Sequence, residues 1–154
     1  MYSTTALITN FPLVMAVIGW CTAQFMKLVI TFFANREECS FSTLFSSGGM
    51  PSSHSATVCA LTTAVALEEG FASPLFAITY ILSFIVMYDA MGVRRSAGEQ
   101  AKTINQIIQH LFDEKQFPID TTVKEILGHT PFQVIMGAAI GIVIPIIARF
   151  TFGV

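Results

Sequence analysis

Two histidines, His54 and His129, are the side chains of this sequence best suited to acid–base or nucleophilic chemistry. His54 stands in the stretch GGMPSSHSA, residues 48–56, and His129 stands in LGHTPFQV, residues 127–134. Near neutral pH, an imidazole can either attack phosphorus or protonate a departing oxygen. Two histidines at one site can therefore divide the two roles of phosphoryl transfer between them.

Positive charge and helix-start residues accompany the histidines. Lys27 and Arg94 offer cationic groups, and Ser52 and Ser53 offer hydroxyls and backbone N–H groups at an expected helix N-terminus. Such donors suit a cluster of anionic oxygens such as phosphate. Asp89 adds a carboxylate five residues before Arg94. These residue types predict a phosphate-binding pocket if the fold brings them together.

Composition indicates that the fold lies in a membrane. The chain has 154 residues, of which 53% are hydrophobic and only 12% are charged, against about 25% charged in ordinary soluble domains. A net charge of -2 gives no reason to expect a nucleic-acid partner. The odd number of cysteines, Cys21, Cys39 and Cys59, lacks metal-type spacing, and we expect reduced thiols and no metal or other cofactor.

Four apolar segments predict an all-α, polytopic helix bundle that forms one integral membrane domain over residues 1–154. A helix needs about 20 residues to cross the bilayer core, and fewer where its ends are enclosed by protein. The expected spans are residues 10–34, 54–67, 74–91 and 131–150. The second is short and rich in Ala and Thr, as expected of a helix surrounded by others. Within the polar loop 92–130, apolar residues at helical spacing predict an amphipathic interfacial helix over 98–112.

Charge distribution predicts the orientation of the bundle. With four spans, the loops at 35–53 and 92–130 share one side of the membrane, and this side carries Arg36, Arg94, Arg95, Lys102, Lys115 and Lys124. The positive-inside rule makes that side cytoplasmic and places both termini on the opposite side. All the candidate site residues then meet at the cytoplasmic face.

Each candidate also has a purely structural explanation. Lys27 can extend its side chain to the headgroups, Asp89 can be the ion-pair partner of Arg94 or Lys27, and either histidine can simply begin a helix. An ionisable side chain within a span is nevertheless a functional candidate by default. Separate structural explanations do not account for the convergence of several such residues at one membrane face.

The blocks GGMPSSHSA, MYDAMGVRRSAGEQA and LGHTPFQV, in this order, resemble the divergent, short branch of the type-2 phosphatidic acid phosphatase and vanadium haloperoxidase superfamily. The resemblance extends from about Gln24 to Gly141. It implies that Lys27 and Arg94 bind phosphate together with Ser52 and the Ser53 backbone N–H. It further implies that His54 is the general acid and that His129 is the nucleophile.

The pattern of this superfamily is altered at several positions, among them Ala34 and Ser53 in place of an arginine and a glycine, and the most important alteration concerns the nucleophile. An aspartate usually follows the nucleophilic histidine by four residues and orients it, whereas this chain has Gln133 there. Glutamine can hold the ring but supplies no charge to an imidazolium. Asp89, at the end of the neighbouring span, is the candidate to replace the missing carboxylate.

Three classes of function remain open on the sequence. The first is a metal-independent membrane phosphatase that hydrolyses a lipid phosphate monoester or pyrophosphate through a phosphohistidine. The second is a non-catalytic protein, such as a transporter, that binds phosphate or phospholipid headgroups. The third is a metal site formed by His54, Asp89 and His129, which lacks the spacing typical of zinc ligands. Membrane lipids are the expected partners, and the small residues Gly137, Ala138, Ala139 and Gly141 permit a homodimer without requiring one.

Overall fold

Helices make up nearly all of the part of the chain that the structure describes. The structure is a computed structural model that describes residues 5–34, 49–111, 123 and 128–153. The helices are α1 (Thr5–Thr9), α2 (Phe11–Ala34), α3 (Ser53–Glu69), α4 (Pro74–Met91), α5 (Val93–Leu111) and α6 (Pro131–Phe152). No strand occurs in these ranges, and the all-α prediction is confirmed. Of the residues assigned to the basic side, Arg36, Lys115 and Lys124 lie outside the described ranges, as does Cys39.

The four segments expected to span the membrane are all helical. Three stretches among the described residues are long and apolar enough to cross a bilayer: Phe11–Phe33, Pro74–Ile108 and Pro131–Phe152. The second of these runs through α4 into α5. The 17-residue α3 has a length of about 25 Å, less than the roughly 30 Å of a hydrocarbon core. A helix this short depends on its protein neighbours to bury its ends.

Helix α3 lies at the centre of the bundle, where it packs against α6, α2 and α4. Small residues make this possible, since Ala56 and Ala60 on α3 are completely buried. On α6, a Cβ at Gly137 or Gly141 would collide with the backbone carbonyls of Ser52 and Ala56, respectively. On α2, a Cβ at Gly19 would lie 2.9 Å from that of Ala60. The two glycines of α6 thus serve contacts within the chain, and a homodimer through this helix stays a prediction.

Capping residues set where the helices begin at the face that carries the histidines. Ser52 is the N-cap of α3, and its side chain accepts a hydrogen bond from the Ser55 backbone N–H. Thr130 is the N-cap of α6 and forms a capping box with Gln133, with a proline in the first turn. Both arrangements satisfy N–H groups that a helix start leaves without intrahelical partners. The two helix starts are joined directly, because the Ser52 N–H donates to the Gln133 carbonyl at 3.1 Å.

The amphipathic helix begins earlier than the sequence predicts. It was expected over 98–112, but α5 starts at Val93, directly after Gly92, which caps α4. Gly98 and Ala101 are buried one turn apart, while Ile104 and Ile107 are exposed. The early start places Arg94 and Arg95 in the first turn of α5, beside the end of α4. The predicted boundary was wrong because Gly98 fits within the helix, on its buried side.

Candidate functional site

His129 lies in a nearly closed environment just before α6. Its side chain is only 4% exposed, and its backbone N–H donates to the Ala90 carbonyl near the end of α4 at 3.1 Å. The preceding residue, Gly128, packs against the backbone of Arg95, where a Cβ would collide. Contacts with α4 and α5 therefore fix the backbone that carries this histidine.

Gln133 orients the imidazole of His129. Its Oε1 lies 3.3 Å from His129 Nδ1 and also accepts the Thr130 backbone N–H at 3.0 Å. Because the N–H of Thr130 can only donate, the Gln133 amide must present its oxygen to this position. In the tautomer that carries its proton on Nδ1, this nitrogen donates to Gln133 Oε1 and Nε2 holds the lone pair that a nucleophile needs.

His54 faces His129 across a narrow gap. It lies in the first turn of α3 and is exposed. The two ring centroids are 6.4 Å apart, and the ring planes are tilted by 58°. The sequence separates the histidines by 75 positions (129 − 54), and the link between the starts of α3 and α6 brings them together.

Lys27 brings positive charge to the same place from α2. Its side chain is 5% exposed, and its stem lies against Gly49, where a Cβ would be 2.9 Å from Lys27 Cε. Gly49 has a φ of +93°, in the region that favours glycine. The positive charge of Lys27 acts electrostatically on both His54 and His129.

The pKa of His129 is lowered from its ordinary value of 6.5. Burial is the main cause, since removal of water disfavours the charged ring. The positive charges of His54 and Lys27 act in the same direction, whereas hydrogen bonds with Gln133 and with the Gly49 backbone oppose it. The uncharged form of the ring is consequently favoured.

Arg94 and Asp89 form an ion pair at the rim of the gap. Arg94 Nε lies 2.7 Å from Asp89 Oδ2, and the side chains are 43% and 37% exposed, respectively. The pair joins the first turn of α5 to the last turns of α4, and both charges act on His54. The sequence left three roles open for Asp89: an ion-pair partner, a replacement for the carboxylate beside His129, and a metal ligand. The ion pair with Arg94 is the one that its described contacts display. The His129 ring has its side-chain hydrogen bond with Gln133 instead.

The two serines of the helix start differ in accessibility. Ser52 is fully buried, and its Oγ accepts from the Ser55 hydroxyl at 3.0 Å and from the Ser55 N–H at 3.4 Å. Ser53 is the first residue of α3 and is partly exposed. Of the two, only Ser53 therefore presents surface at the start of α3.

Three residues of the site were missing from the sequence prediction: Gly49, Ala90 and Gly128. Gly49 contacts the Lys27 stem, Ala90 accepts the His129 N–H, and Gly128 packs on Arg95. All three act through the backbone or through the lack of a side chain. A glycine directly before a candidate catalytic histidine could have indicated a close backbone contact at Gly128. Nothing in the sequence marks Ala90 in this way.

The described residues contain no group of three or more His, Cys, Asp or Glu side chains that could hold a metal ion. Nothing in that part of the chain supports the third class of function, a metal site formed by His54, Asp89 and His129.

Comparison with known proteins identifies the family of the chain. A family model described as "Divergent PAP2 family" matches residues 8–144, a range that contains every candidate site residue. The chain is also 42% identical over 156 aligned residues to "Uncharacterized membrane protein YuiD" of Bacillus subtilis (strain 168), covering 95% of this chain and 98% of that relative. No solved structure matches the chain. The sequence resemblance is thus confirmed at the level of the family, and the chain is an integral membrane protein that belongs to the divergent PAP2 family.

Proposed function

We propose that this protein hydrolyses a lipid phosphate monoester or pyrophosphate through a phosphohistidine, with His129 as the nucleophile and His54 as the general acid. The observation that carries the proposal is the facing pair of imidazoles, 6.4 Å apart between centroids, beside the buried Lys27. Membership of a family related to phosphatidic acid phosphatases supports the reaction class.

The separation of the rings suits a phosphorus atom between them. A nucleophile attacks from about 3 to 3.5 Å, and a general acid lies about 2.6 to 3.2 Å from the oxygen that it protonates. Two rings whose centroids are 6.4 Å apart are too distant to bond to each other. They are close enough for both to reach one phosphoryl group, His129 at phosphorus and His54 at the leaving oxygen.

The reaction proceeds in two balanced steps. In the first, Nε2 of neutral His129 forms a bond to phosphorus, the bond from phosphorus to the lipid oxygen breaks, and protonated His54 gives its proton to that oxygen. In the second, water attacks phosphorus, neutral His54 takes the water proton, and the N–P bond breaks. Inorganic phosphate leaves, and both histidines return to their starting states.

Lys27, Arg94 and the Ser53 backbone N–H supply the charge and hydrogen bonds that the three non-bridging oxygens require. Asp89 holds the Arg94 guanidinium at the rim of the gap through their 2.7 Å contact, which leaves the other guanidinium nitrogens to bind phosphate. Ser52, with its hydroxyl bonded to Ser55, contributes as the cap that fixes the helix start and not as a direct ligand.

The site faces the cytoplasm in this proposal. Arg94, Arg95 and Lys102 on α5 lie on the side of the histidines, whereas Glu68 and Glu69 end α3 on the opposite side. The positive-inside rule then orients the bundle. A cysteine accessibility assay with single cysteines placed at Lys102 and at Glu69 tests this orientation in intact cells.

A second candidate is a non-catalytic protein that binds phosphate or phospholipid headgroups. The observation that favours it is the contact of His129 with the uncharged Gln133, because an amide stabilises a developing imidazolium less than a carboxylate does. Such a protein would use Lys27 and Arg94 for binding and would need neither histidine as a reactant.

Phosphate release by the purified protein in detergent separates the two candidates. The panel contains phosphatidic acid, phosphatidylglycerol phosphate and isoprenoid phosphates, with His54→Ala and His129→Ala in parallel. The proposal predicts turnover that His129→Ala abolishes and His54→Ala strongly lowers, and an acid-labile phosphoenzyme that forms in the wild type and not in His129→Ala. Folded protein that binds these lipids without turnover, and loses binding only when Lys27 or Arg94 is changed, would establish the second candidate instead.

A further inference from the structure

Asn105, in the interior of α5, binds the backbone of a residue much further along the chain. Its Nδ2 donates to the Val123 carbonyl, and its Oδ1 accepts the Val123 N–H, each at 2.9 Å. A side-chain amide can form both bonds because it carries a donor and an acceptor next to each other. Asparagine is otherwise unfavourable within a helix, so this pair of hydrogen bonds gives a reason for its place in α5.

Asn105 shares one side of α5 with two small residues. Ala101 lies one turn before it and Gly98 two turns before it, a spacing that places all three on one face of a helix. Ala101 and Gly98 are buried and Asn105 is partly buried, whereas Lys102 and Gln106 are exposed. Because the two buried residues have little or no side chain, this face lets another part of the chain lie close to α5.

The contact at Val123 is one of two places where the chain that leads to His129 meets α5. The other is Gly128, which packs on the backbone of Arg95. From Arg95 to Asn105, α5 rises about 15 Å. The chain from Val123 to Gly128 reaches roughly 17 Å at most. Because these two lengths are similar, the chain can take up little of a displacement at Val123 before that displacement reaches Gly128.

We infer that Asn105 is a positioning residue for His129. It acts by holding Val123, and through it the chain that ends at the imidazole. The inference rests on the proposed function for the chemical role of His129. That histidine stands outside the helices, since α6 begins only at Pro131, and a reacting group has to stay within about 0.5 Å of its productive position. Contacts of the preceding backbone must therefore supply the rigidity that a helix would otherwise give.

Matched variants on α5 test the part played by Asn105. Asn105→Ala removes both hydrogen bonds, whereas Asn105→Asp keeps an acceptor for the Val123 N–H and loses the donor to its carbonyl. Gln106→Ala removes an amide from the next position, where the side chain is exposed. Both alanine substitutions raise helix propensity. A difference between them consequently reports the contact with Val123 and not a change in the stability of α5 alone.

Kinetics of phosphate release separate the position of the nucleophile from the binding of the substrate. Asn105→Ala should lower kcat by about ten- to 100-fold, the effect of a small misplacement of a reacting group, and should leave KM within about twofold. Asn105→Asp should have an intermediate kcat, and Gln106→Ala should follow the wild type. A kcat of folded Asn105→Ala equal to that of Gln106→Ala would overturn the inference, and so would a loss confined to KM.

An NMR titration keeps the inference testable if no substrate is turned over and the proposed function fails. Burial is the main cause of the lowered pKa of His129, to which the charges of His54 and Lys27 add. A displaced ring meets more water, so the His129 pKa should move toward 6.5 in Asn105→Ala and stay at the wild-type value in Gln106→Ala. Identical His129 titrations in Asn105→Ala and the wild type would contradict the inference, whether or not the protein is a phosphatase.

Discussion

Gln133 Oε1 lies 3.3 Å from Nδ1 of His129 and also caps α6 by accepting the Thr130 N–H at 3.0 Å. One amide oxygen thus connects the start of a membrane-spanning helix to the candidate nucleophile. An aspartate at this position would bring a negative charge to the ring, and glutamine brings orientation alone. The consequences for protonation can be measured directly.

Gln133→Asp should raise the pKa of His129, because a carboxylate beside Nδ1 favours the imidazolium. Asp also retains an oxygen that can accept a hydrogen bond from the ring. The measurement is an NMR titration of labelled histidine, with the His129 resonance assigned from His129→Asn. Gln133→Glu is the companion variant, since it adds the charge at the original side-chain length. A His129 pKa that does not move in either variant would show that residue 133 does not contact the ring.

Activity should fall as the pH drops through the pKa of His129, because only the neutral ring has a lone pair on Nε2. Burial keeps this pKa below its ordinary value of 6.5, so the loss is expected on the acidic side of that value. The measurement is a pH profile of kcat/KM for phosphate release. An acidic limb with its midpoint above pH 6.5 would contradict a neutral nucleophile with a lowered pKa, whereas loss of the His54 proton affects only the basic limb.

The same pKa shift predicts how stability depends on pH. The unfolded chain takes up a proton at His129 near 6.5, whereas the folded chain resists it, so the unfolded state binds more protons as the pH falls. The contribution of His129 to stability is therefore full above about 6.5 and declines below it. Thermal unfolding in detergent from pH 7.5 to 5.5 should show a smaller decline in His129→Asn than in the wild type.

Much of the fold could be predicted from the sequence, because membrane spans have a strong signature in length and composition. The third span was expected over 74–91, and α4 has these same bounds. The start of the amphipathic helix was predicted less accurately than the spans. A glycine such as Gly98 is typical of a helix boundary, although it also allows close packing within a helix. Helix packing around α3 followed from its Ala- and Thr-rich sequence.

The candidate site was harder to anticipate than the fold. The sequence singled out both histidines and Lys27, since ionisable groups in apolar surroundings are conspicuous. It gave no indication that Ser52 would be fully buried, because burial of an N-cap depends on how closely Gly137 lets α6 approach. It also left two partners open for Asp89, since the position of Arg94 depended on where α5 begins.

Gly137→Ala should destabilise the bundle and disturb the histidine pair together. The added Cβ would collide with the Ser52 carbonyl, which forces α6 away from the start of α3. Overpacking of this kind costs about 1 to 3 kcal/mol. Gly92→Ala is the control, because its Cβ would meet only the Tyr88 carbonyl, at 3.2 Å. Thermal unfolding in detergent should show a lower Tm for Gly137→Ala and little change for Gly92→Ala, whereas equal Tm values would refute the close contact.

The ion pair between Asp89 and Arg94 should matter for phosphate binding far more than for stability. Both side chains are over one-third exposed, and exposed ion pairs contribute about 0 to 1 kcal/mol to folding. Arg94→Gln should weaken binding of lipid phosphate by about five- to 100-fold, because a charge-assisted hydrogen bond contributes about 1 to 3 kcal/mol. Asp89→Asn should weaken it less, through loss of guanidinium orientation, and should have no further effect in an Arg94→Gln background.

Arg95 and Glu99 provide the matched control for this prediction, since they form an ion pair at 3.2 Å in the first turns of the same helix. Arg95→Gln removes an equal charge one residue away, so it reports the general electrostatic effect of α5 on an anionic lipid. The binding affinities of Arg95→Gln and of the wild type should become more similar from low to high salt, because screening increases. Arg94→Gln should stay weaker at both salt concentrations, because direct contact with phosphate is screened less than attraction over a distance. If the two arginine variants behave alike, Arg94 attracts the membrane surface and does not bind phosphate in the site.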